Sequence, residues 1–503
     1  MTTGKDAFFT RTTPFILIHT LVWWLITIAA KTVLDGYGDM AEVYAWSQHW
    51  LLGSSKHPQF LPWMAKLWFM VAPQSVASFY LLSAVNLAVA LFGIRALARA
   101  LKFEERHIAV ALALCVLALP YLTLSNKLNM NSICLATWPW TAWAFVRVTT
   151  SEGGRRNLYA LLFGVLAAIA ILSKYYSVVL LIPLFASTFT SARRHLWFTA
   201  VPWIALTAFV LTLLPHLHWL LQHREAVAYA SEQGNGDGLK EAIYYIAKFA
   251  ASPFFYWPVP LIVAALFLVG GSPLQRFGKL LKRPAGDNML SFVAIGPWLT
   301  TLGFAVIGLA VLSTPWAIPI GFAFTLYLVR NADAPLLETK GPKIVAAFRF
   351  IWPLMIIGGI VFGFVASVKG NTEQYTPWEE SAQAIIETWK GEHTQPLAWI
   401  ASGNNAANIA LLSPEEIEAL PALPDRLPGY YPPRASWKSE TGVVLCSLAL
   451  PGKVKTACMN ETIAWAAENG LKAEAKVLTV HRSGFRYPKR IDFELAVVYI
   501  SAE

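Results

Sequence analysis

Long, mostly apolar runs recur along the first three quarters of the chain, separated by short polar or basic segments. The first, residues 14–33, is long enough to cross a hydrocarbon core of about 30 Å. It ends in "KTVLDGYGD", with no small-x-small cleavage pattern, and further apolar runs follow. It therefore reads as a retained span and not a signal peptide. Eleven spans are expected, near 14–33, 75–94, 107–124, 131–147, 157–173, 175–190, 196–214, 253–271, 290–309, 312–329 and 345–367. The 157–190 run is divided at Lys174. One long helix would hold that lysine in mid-membrane and would carry Arg193 and Arg194 to the wrong side.

After about residue 369 the pattern changes. "GVVLCSLAL", "AKVLTVHR" and "DFELAVVYIS" alternate as strands do. "WEESAQAIIETWK" and "NETIAWAAENG" read as helices, the second capped by Asn460 or Thr462. "PEEIEALPALPDRLPGYYPPRASW" reads as a Pro-rich loop. The expected organisation is a membrane part, 1–368, whose first outer loop is 34–74, followed by a small α/β domain, 369–503.

Composition agrees with a polytopic α-helical membrane protein. Only 14% of the 503 residues are charged and 56% are hydrophobic, against about a quarter charged in soluble chains. The formal net charge of +10 gathers in alternate loops: Arg95 to Arg106, Arg147 to Arg156, Arg193 and Arg194, Arg276 to Arg283, and Arg330 to Lys343. Basic loops of this kind are retained in the cytoplasm, so the charge needs no nucleic-acid partner. No Gly-rich phosphate loop and no zinc-type cysteine spacing is present. The opposite, outer side then receives 34–74, the later turns and the tail. Cys446 and Cys458 lie in that tail. They pair as a disulfide in an oxidising compartment or remain two buried thiols, while Cys115 and Cys134 fall in spans as packing residues.

Ionisable groups at membrane depth or edge are costly and mark function. Here they collect on the outer side: Asp35, Asp39 and Glu42 in "LDGYGDMAEVYAW"; Lys56 and His57 in "GSSKHPQF"; Asn129 and Asn131; Lys174 and Tyr175; and His216, His218, Arg224 and Tyr229 in "PHLHWLLQHREAVAYA". Carboxylates beside cations suit group transfer from a phosphate-bearing donor. The carboxylate takes a proton from an attacking hydroxyl, and the cations stabilise the leaving phosphate. Plainer roles compete: the acids as a solvated helix start, Lys56 and His57 as interface anchors, the asparagines as caps. His57, His216 and His218 are the candidates for a divalent metal, although positions i and i+2 do not share a helix face.

Four stretches in order, "GDMAEVYAWSQHWLLGSSKHPQFLPWMAKLWF", "LSNKLNMNSICLATWPWTAWAFVR", "AILSKYYSVVLLIPL" and "LLPHLHWLLQHREAVAYA", resemble the GT-C-fold glycosyltransferases that use polyprenyl-phosphate sugars. The branch is the one related to protein mannosyltransferases and the aminoarabinose–lipid A transferase, with the rhizobial-type lipopolysaccharide galacturonosyltransferases as a narrower likeness. The resemblance implies a bacterial inner-membrane enzyme with its active site and C-terminal domain at the periplasmic face. It implies an inverting transfer from a polyprenyl-phosphate-linked sugar to lipid A, lipopolysaccharide core or a similar glycolipid. Carried onto this sequence, Asp39 is the base, Glu42 its partner and Asp35 the second choice. Lys56, His57, Lys174 and Arg224 attend the donor phosphate, while Tyr175, Asn129, Asn131, His216, His218 and Tyr229 line the substrates. "KHPQF" stands where K-H-P-P is usual, and Arg224 where an acid is frequent. The rivals are a transporter or flippase, a polymerase or ligase for lipid-linked sugars, and a non-catalytic scaffold. A transporter predicts internal repeats and midplane charges. A polymerase or ligase predicts key residues in a late outer loop, and a scaffold predicts that Asp39 is dispensable.

Overall fold

The computed structural model describes residues 11–224, 239–283, 289–307, 312–454 and 456–502. Most of the expected spans fall on helix, but of the one expected at 312–329 only Phe324–Arg330 is α-helix, preceded by the 3-10 turn Thr314–Ala317 and further turns. Among the described residues five stretches are long and apolar enough to cross a membrane: α1 (Thr12–Ala30), α2 (Val76–Ala100), α3 (Gly153–Ser173), α4 (Val201–Gln222) and the run Ala334–Lys369. The remaining helical stretches are shorter or interrupted, as at Pro258 and Pro297, where proline removes a backbone donor. The break at Lys174 is present. Helix α3 ends at Ser173, Lys174 is extended, and a 3-10 turn, Tyr175–Ser177, leads into Val178–Ser187.

The chain packs as two compact units. The first comprises Met1–Trp24, Leu52–Phe60 and Ser83–Met355. At its centre the Glu105–Cys115 helix is buried on all sides from Ile108 onward, as an element without a polar face must be. Helix α3 lies between α4 and the Ile133–Thr150 helix.

The second unit comprises Leu25–Leu51, Leu61–Leu82 and Ile356–Glu503. The Phe348–Lys369 helix meets α1 closely here. A Cβ on Gly363 would stand 2.3 Å from the Ala29 carbonyl oxygen, and one on Gly359 2.8 Å from Ile26 Cγ2. Small residues four apart let two backbones approach in this way. The tail carries a five-stranded sheet of order β2-β1-β3-β5-β4. Three strands are the ones the alternation marks: β3 (Gly442–Ala449), β4 (Leu471–Val480) and β5 (Phe493–Ala502). The other two, β1 (Trp399–Ala401) and β2 (Glu418–Leu420), pair in parallel, and β2 lies inside the segment expected to be loop. Three-residue strands are too short to show a period.

The Cys446–Cys458 disulfide forms, with Cα atoms 5.5 Å apart. Cys446 occupies the register shift of β3 between Leu445 and Ser447, and Cys458 lies in the Ala457–Glu468 helix. The bridge therefore joins strand to helix and does not cross a hairpin turn. The expected cap at Asn460 or Thr462 is corrected: both lie inside that helix. Its first turn closes where Asn460 N–H donates to the Thr456 carbonyl at 3.0 Å. The Thr462 hydroxyl donates back to the Cys458 carbonyl at 2.8 Å, a local bond open to threonine inside a helix.

Candidate active site

The acids after the first span divide by role, all within the second unit. Gly38 has φ 78°, a conformation that glycine adopts without a Cβ penalty. It turns the chain into the helix Asp39–Ser47. Asp35 is buried, and its two carboxylate oxygens accept the N–H groups of Asp39 at 3.0 Å and Met40 at 2.8 Å. These are donors that a helix start leaves unpaired. Asp35 is thus a structural cap. Asp39 and Glu42 sit half-buried in the first turn, three residues apart and on one helix face. Met40, Ala41, Val43 and Tyr44 anchor the other faces, and the Gly403–Leu412 helix of the tail packs along this one.

The far end of the same helix borders a polar cavity of about 340 Å³, lined among others by Tyr44, Gln48, His49, Lys66 and Glu416. The Gln48 side chain continues the edge of β2: its Nε2 donates to the Ile417 carbonyl at 3.2 Å, and its Oε1 accepts from Ala419 N–H at 2.8 Å. His49 Nε2 meets Glu418 Oε1 at 2.6 Å, and Glu418 also pairs with Arg434, which in turn pairs with Glu440. Burial raises the Glu418 carboxyl pKa, but the hydrogen bonds from His49 and Arg434 outweigh it and hold the carboxyl below its ordinary range.

The cationic residues belong to the first unit. The "GSSKHP" stretch folds into a tight loop: Gly53 bridges Pro58, Ser54 N–H donates to the His57 carbonyl at 3.0 Å, and the Ser54 hydroxyl accepts His57 N–H at 3.1 Å. Gln59, the departure from K-H-P-P, is fully buried with Nε2 3.5 Å from the His57 carbonyl. The amide therefore braces the turn in place of proline's fixed ring. Lys56 is exposed and His57 half-buried. A Cβ on Gly53 would stand 2.2 Å from the Trp219 ring, which itself stacks on His216.

His216 ties this loop to the α3 break. Its Nδ1 lies 2.6 Å from the Leu52 carbonyl and must donate, so Nε2 accepts the Tyr175 hydroxyl at 2.9 Å. Both nitrogens are committed and leave no lone pair for a metal. His218 is exposed beside Gln222 Nε2. Among the described residues the one convergent group of metal-type ligands is Glu392, His393 and Glu474 in the tail, where Lys476 already bridges both glutamates.

Next to Tyr175, the Lys174 ammonium donates to Asn131 Oδ1 at 2.6 Å. It lies 5.2 Å from the Trp316 ring centroid and 5.6 Å from that of Tyr176, within cation–π range. Asn129 is a cap: its Oδ1 accepts N–H from Asn131 at 2.9 Å and Ser132 at 3.1 Å, which aims Asn131 at the lysine. Trp316 escaped the sequence reading because its indole is not ionisable, whereas Tyr176 directly follows Lys174 and Tyr175 in the turn that reading picked out. The signal available was aromatic residues beside proline in "STPWAIP". Arg224 is exposed just beyond α4, and Tyr229 lies outside the described residues.

A helical membrane bundle with acids just after its first long helix and a small sheet domain at its end is an architecture of the GT-C fold. Residues 56–219 match the dolichyl-phosphate-mannose-protein mannosyltransferase family, a stretch holding Lys56, His57, Asn131, Lys174 and His216. ArnT from Cupriavidus metallidurans bound to undecaprenyl phosphate shares the fold with a TM-score of 0.53 and 9% identity, over 96% of this chain and 97% of that one. The same protein in its apo state gives 0.52 and 10% over the same shares. The Archaeoglobus fulgidus oligosaccharyltransferase gives 0.42 and 13%, over 81% of this chain and 64% of that one. No curated protein matches by sequence. The fold of the chain is similar to the GT-C fold, as the resemblance in its sequence implies.

Proposed function

We propose that the protein is a membrane glycosyltransferase that moves a sugar from a polyprenyl-phosphate donor to an envelope glycolipid, lipid A or lipopolysaccharide core. The reaction runs at the periplasmic face of a bacterial inner membrane. Residues 1–368 form the catalytic membrane part, and 369–503 the periplasmic domain. Asp39 takes the proton of the acceptor hydroxyl. That oxygen attacks the anomeric carbon, the bond from this carbon to the phosphate oxygen breaks, and the polyprenyl phosphate leaves with the electron pair. A single displacement inverts the anomeric centre. Lys174 and Lys56, with His57 and Arg224 assigned the same role, balance the charge on the departing phosphate. Glu42 supports Asp39, and Tyr175, Asn129, Asn131, His216, His218 and Tyr229 frame the substrates.

The observation that carries this reading is the division of labour among the acids. Asp35 gives both oxygens to backbone donors, whereas Asp39 opens the helix half-exposed with Glu42 on its face. The lipid phosphate held by the ArnT neighbour supports the donor class. The test is mass spectrometry of envelope glycolipids from a deletion strain complemented with wild type or with Asp39→Asn at equal membrane abundance. One defined sugar mass should vanish on deletion and return only with wild type. Full restoration by Asp39→Asn removes Asp39 as base. An unchanged glycolipid profile on deletion removes the glycolipid acceptor.

A further inference from the structure

An apolar cavity of about 390 Å³ opens in the first unit, away from the residues discussed above. Its walls include Phe145, Phe163, Gly164, Phe185, Trp197 and Leu206. They come from the end of the Ile133–Thr150 helix, the middle of α3, the end of the Val178–Ser187 helix, the 3-10 turn Arg194–Phe198 and the start of α4. Its floor is a packed cluster of Val148, Ala160, Leu196 and Val201. At one wall Gly164 lets α3 pack closely against α4: a Cβ there would stand 2.3 Å from the Ala205 carbonyl oxygen.

The chain around this cavity is one-sided in charge. Segment 145–209 holds five arginines, Arg147, Arg155, Arg156, Arg193 and Arg194, and a single acid, Glu152. Arg147 lies in the last turn of the Ile133–Thr150 helix, Arg155 and Arg156 at the start of α3, and Arg193 and Arg194 between the Val178–Ser187 helix and α4. Arg147 is held over the Tyr159 ring, 4.7 Å from its centroid, with Nη2 donating to the Tyr159 hydroxyl at 3.1 Å. Tyr159 in turn packs on the cavity floor. Arg155 and Arg194 are exposed, and Arg194 opens the 3-10 turn that carries Leu196 and Trp197 into the cavity.

We infer that this cavity is a binding site for an anionic phospholipid of the surrounding leaflet. An acyl chain fills the apolar pocket, and the phosphate headgroup sits among Arg147, Arg155 and Arg194. Basic pockets between membrane helices recognise anionic headgroups in this way, at roughly 1 kcal/mol per basic residue. A zwitterionic lipid offers the same tails without the charge match. The site is independent of the transfer reaction and of the donor.

The test is native mass spectrometry of the purified full chain in detergent, titrated with cardiolipin and, separately, with phosphatidylcholine. Cardiolipin should be retained selectively. Arg155→Ala with Arg194→Ala should weaken its retention about fivefold for each arginine removed and leave phosphatidylcholine unchanged. Leu206→Trp, which fills the pocket with the arginines intact, should weaken both lipids. The exposed positions keep the fold out of question, and thermal melting of each variant checks it. Equal retention of the two lipids, or cardiolipin retention indifferent to the arginines, overturns the proposal and leaves only ordinary annular lipid.

Discussion

The carboxylate of Asp35 accepts the backbone N–H of Met40 at 2.8 Å and that of Asp39 at 3.0 Å. Of two aspartates four residues apart, the first thus holds the turn that presents the second. Asp39→Asn should cut transfer by about a hundredfold or more, the usual worth of a general base, with the melting temperature unchanged. Asp35→Ala should lower stability by about 1 kcal/mol through loss of the cap and reduce activity as the turn loosens. Transfer assays in membranes, paired with thermal melts of purified protein, separate the two. A melt lowered by Asp39→Asn as much as by Asp35→Ala would contradict the division.

Lys174 is held by Asn131 and by the rings of Trp316 and Tyr176. If it neutralises the leaving phosphate, Lys174→Gln should lower turnover by roughly two orders of magnitude. Asn131→Ala should cost less, because the rings still position the ammonium. Rates over a range of donor concentrations check this, and a change in KM alone would assign the lysine to donor binding only.

The Glu418 carboxyl is held below its ordinary range by His49 and Arg434. A depressed folded-state value means that the pair adds stability above the unfolded carboxyl's pKa, about 4.3. That stability is lost as pH falls through the lower folded-state value. Melting temperature followed from pH 7 down to about 3 should therefore drop across the acid end, and Glu418→Gln should flatten that slope. Glu418→Ala should cost about 3 kcal/mol at neutral pH, since Arg434 is left half-buried with a partner missing.

The Cys446–Cys458 bridge spans 12 residues. Closing a loop of that size is worth about 3 kcal/mol against the unfolded chain. Cys446→Ser should lower the unfolding midpoint of the oxidised protein accordingly and leave the midpoint in reductant unchanged. Alkylation with and without reduction, read as a mass shift, confirms the starting state.

Much of this was legible along the chain. Apolar length and the gathering of arginines in alternate loops mark where helices lie, because the cost of a charge in hydrocarbon acts residue by residue. Lys174 announced a helix break for that reason, and β3, β4 and β5 declared themselves by alternation over eight residues or more. The pairing of Cys446 with Cys458 was open in sequence and closed by the fold. Invisible were the contacts between distant segments: β2 inside a Pro-rich stretch, Gln48 reaching its edge, Trp316 over Lys174, and the segments that line the apolar cavity.

The sequence by itself determined the membrane class, the places of the helices and the short catalogue of groups able to do chemistry, since these follow from local hydrophobicity and charge. Only the tertiary structure decided which groups do what. Asp35 became a cap because two backbone N–H groups happen to point at it. His216 became a bridge between segments because a carbonyl and a tyrosine hydroxyl from elsewhere in the chain take both nitrogens. Roles of this kind are set by the directions of hydrogen bonds, and those directions exist only once segments far apart in the chain have packed together.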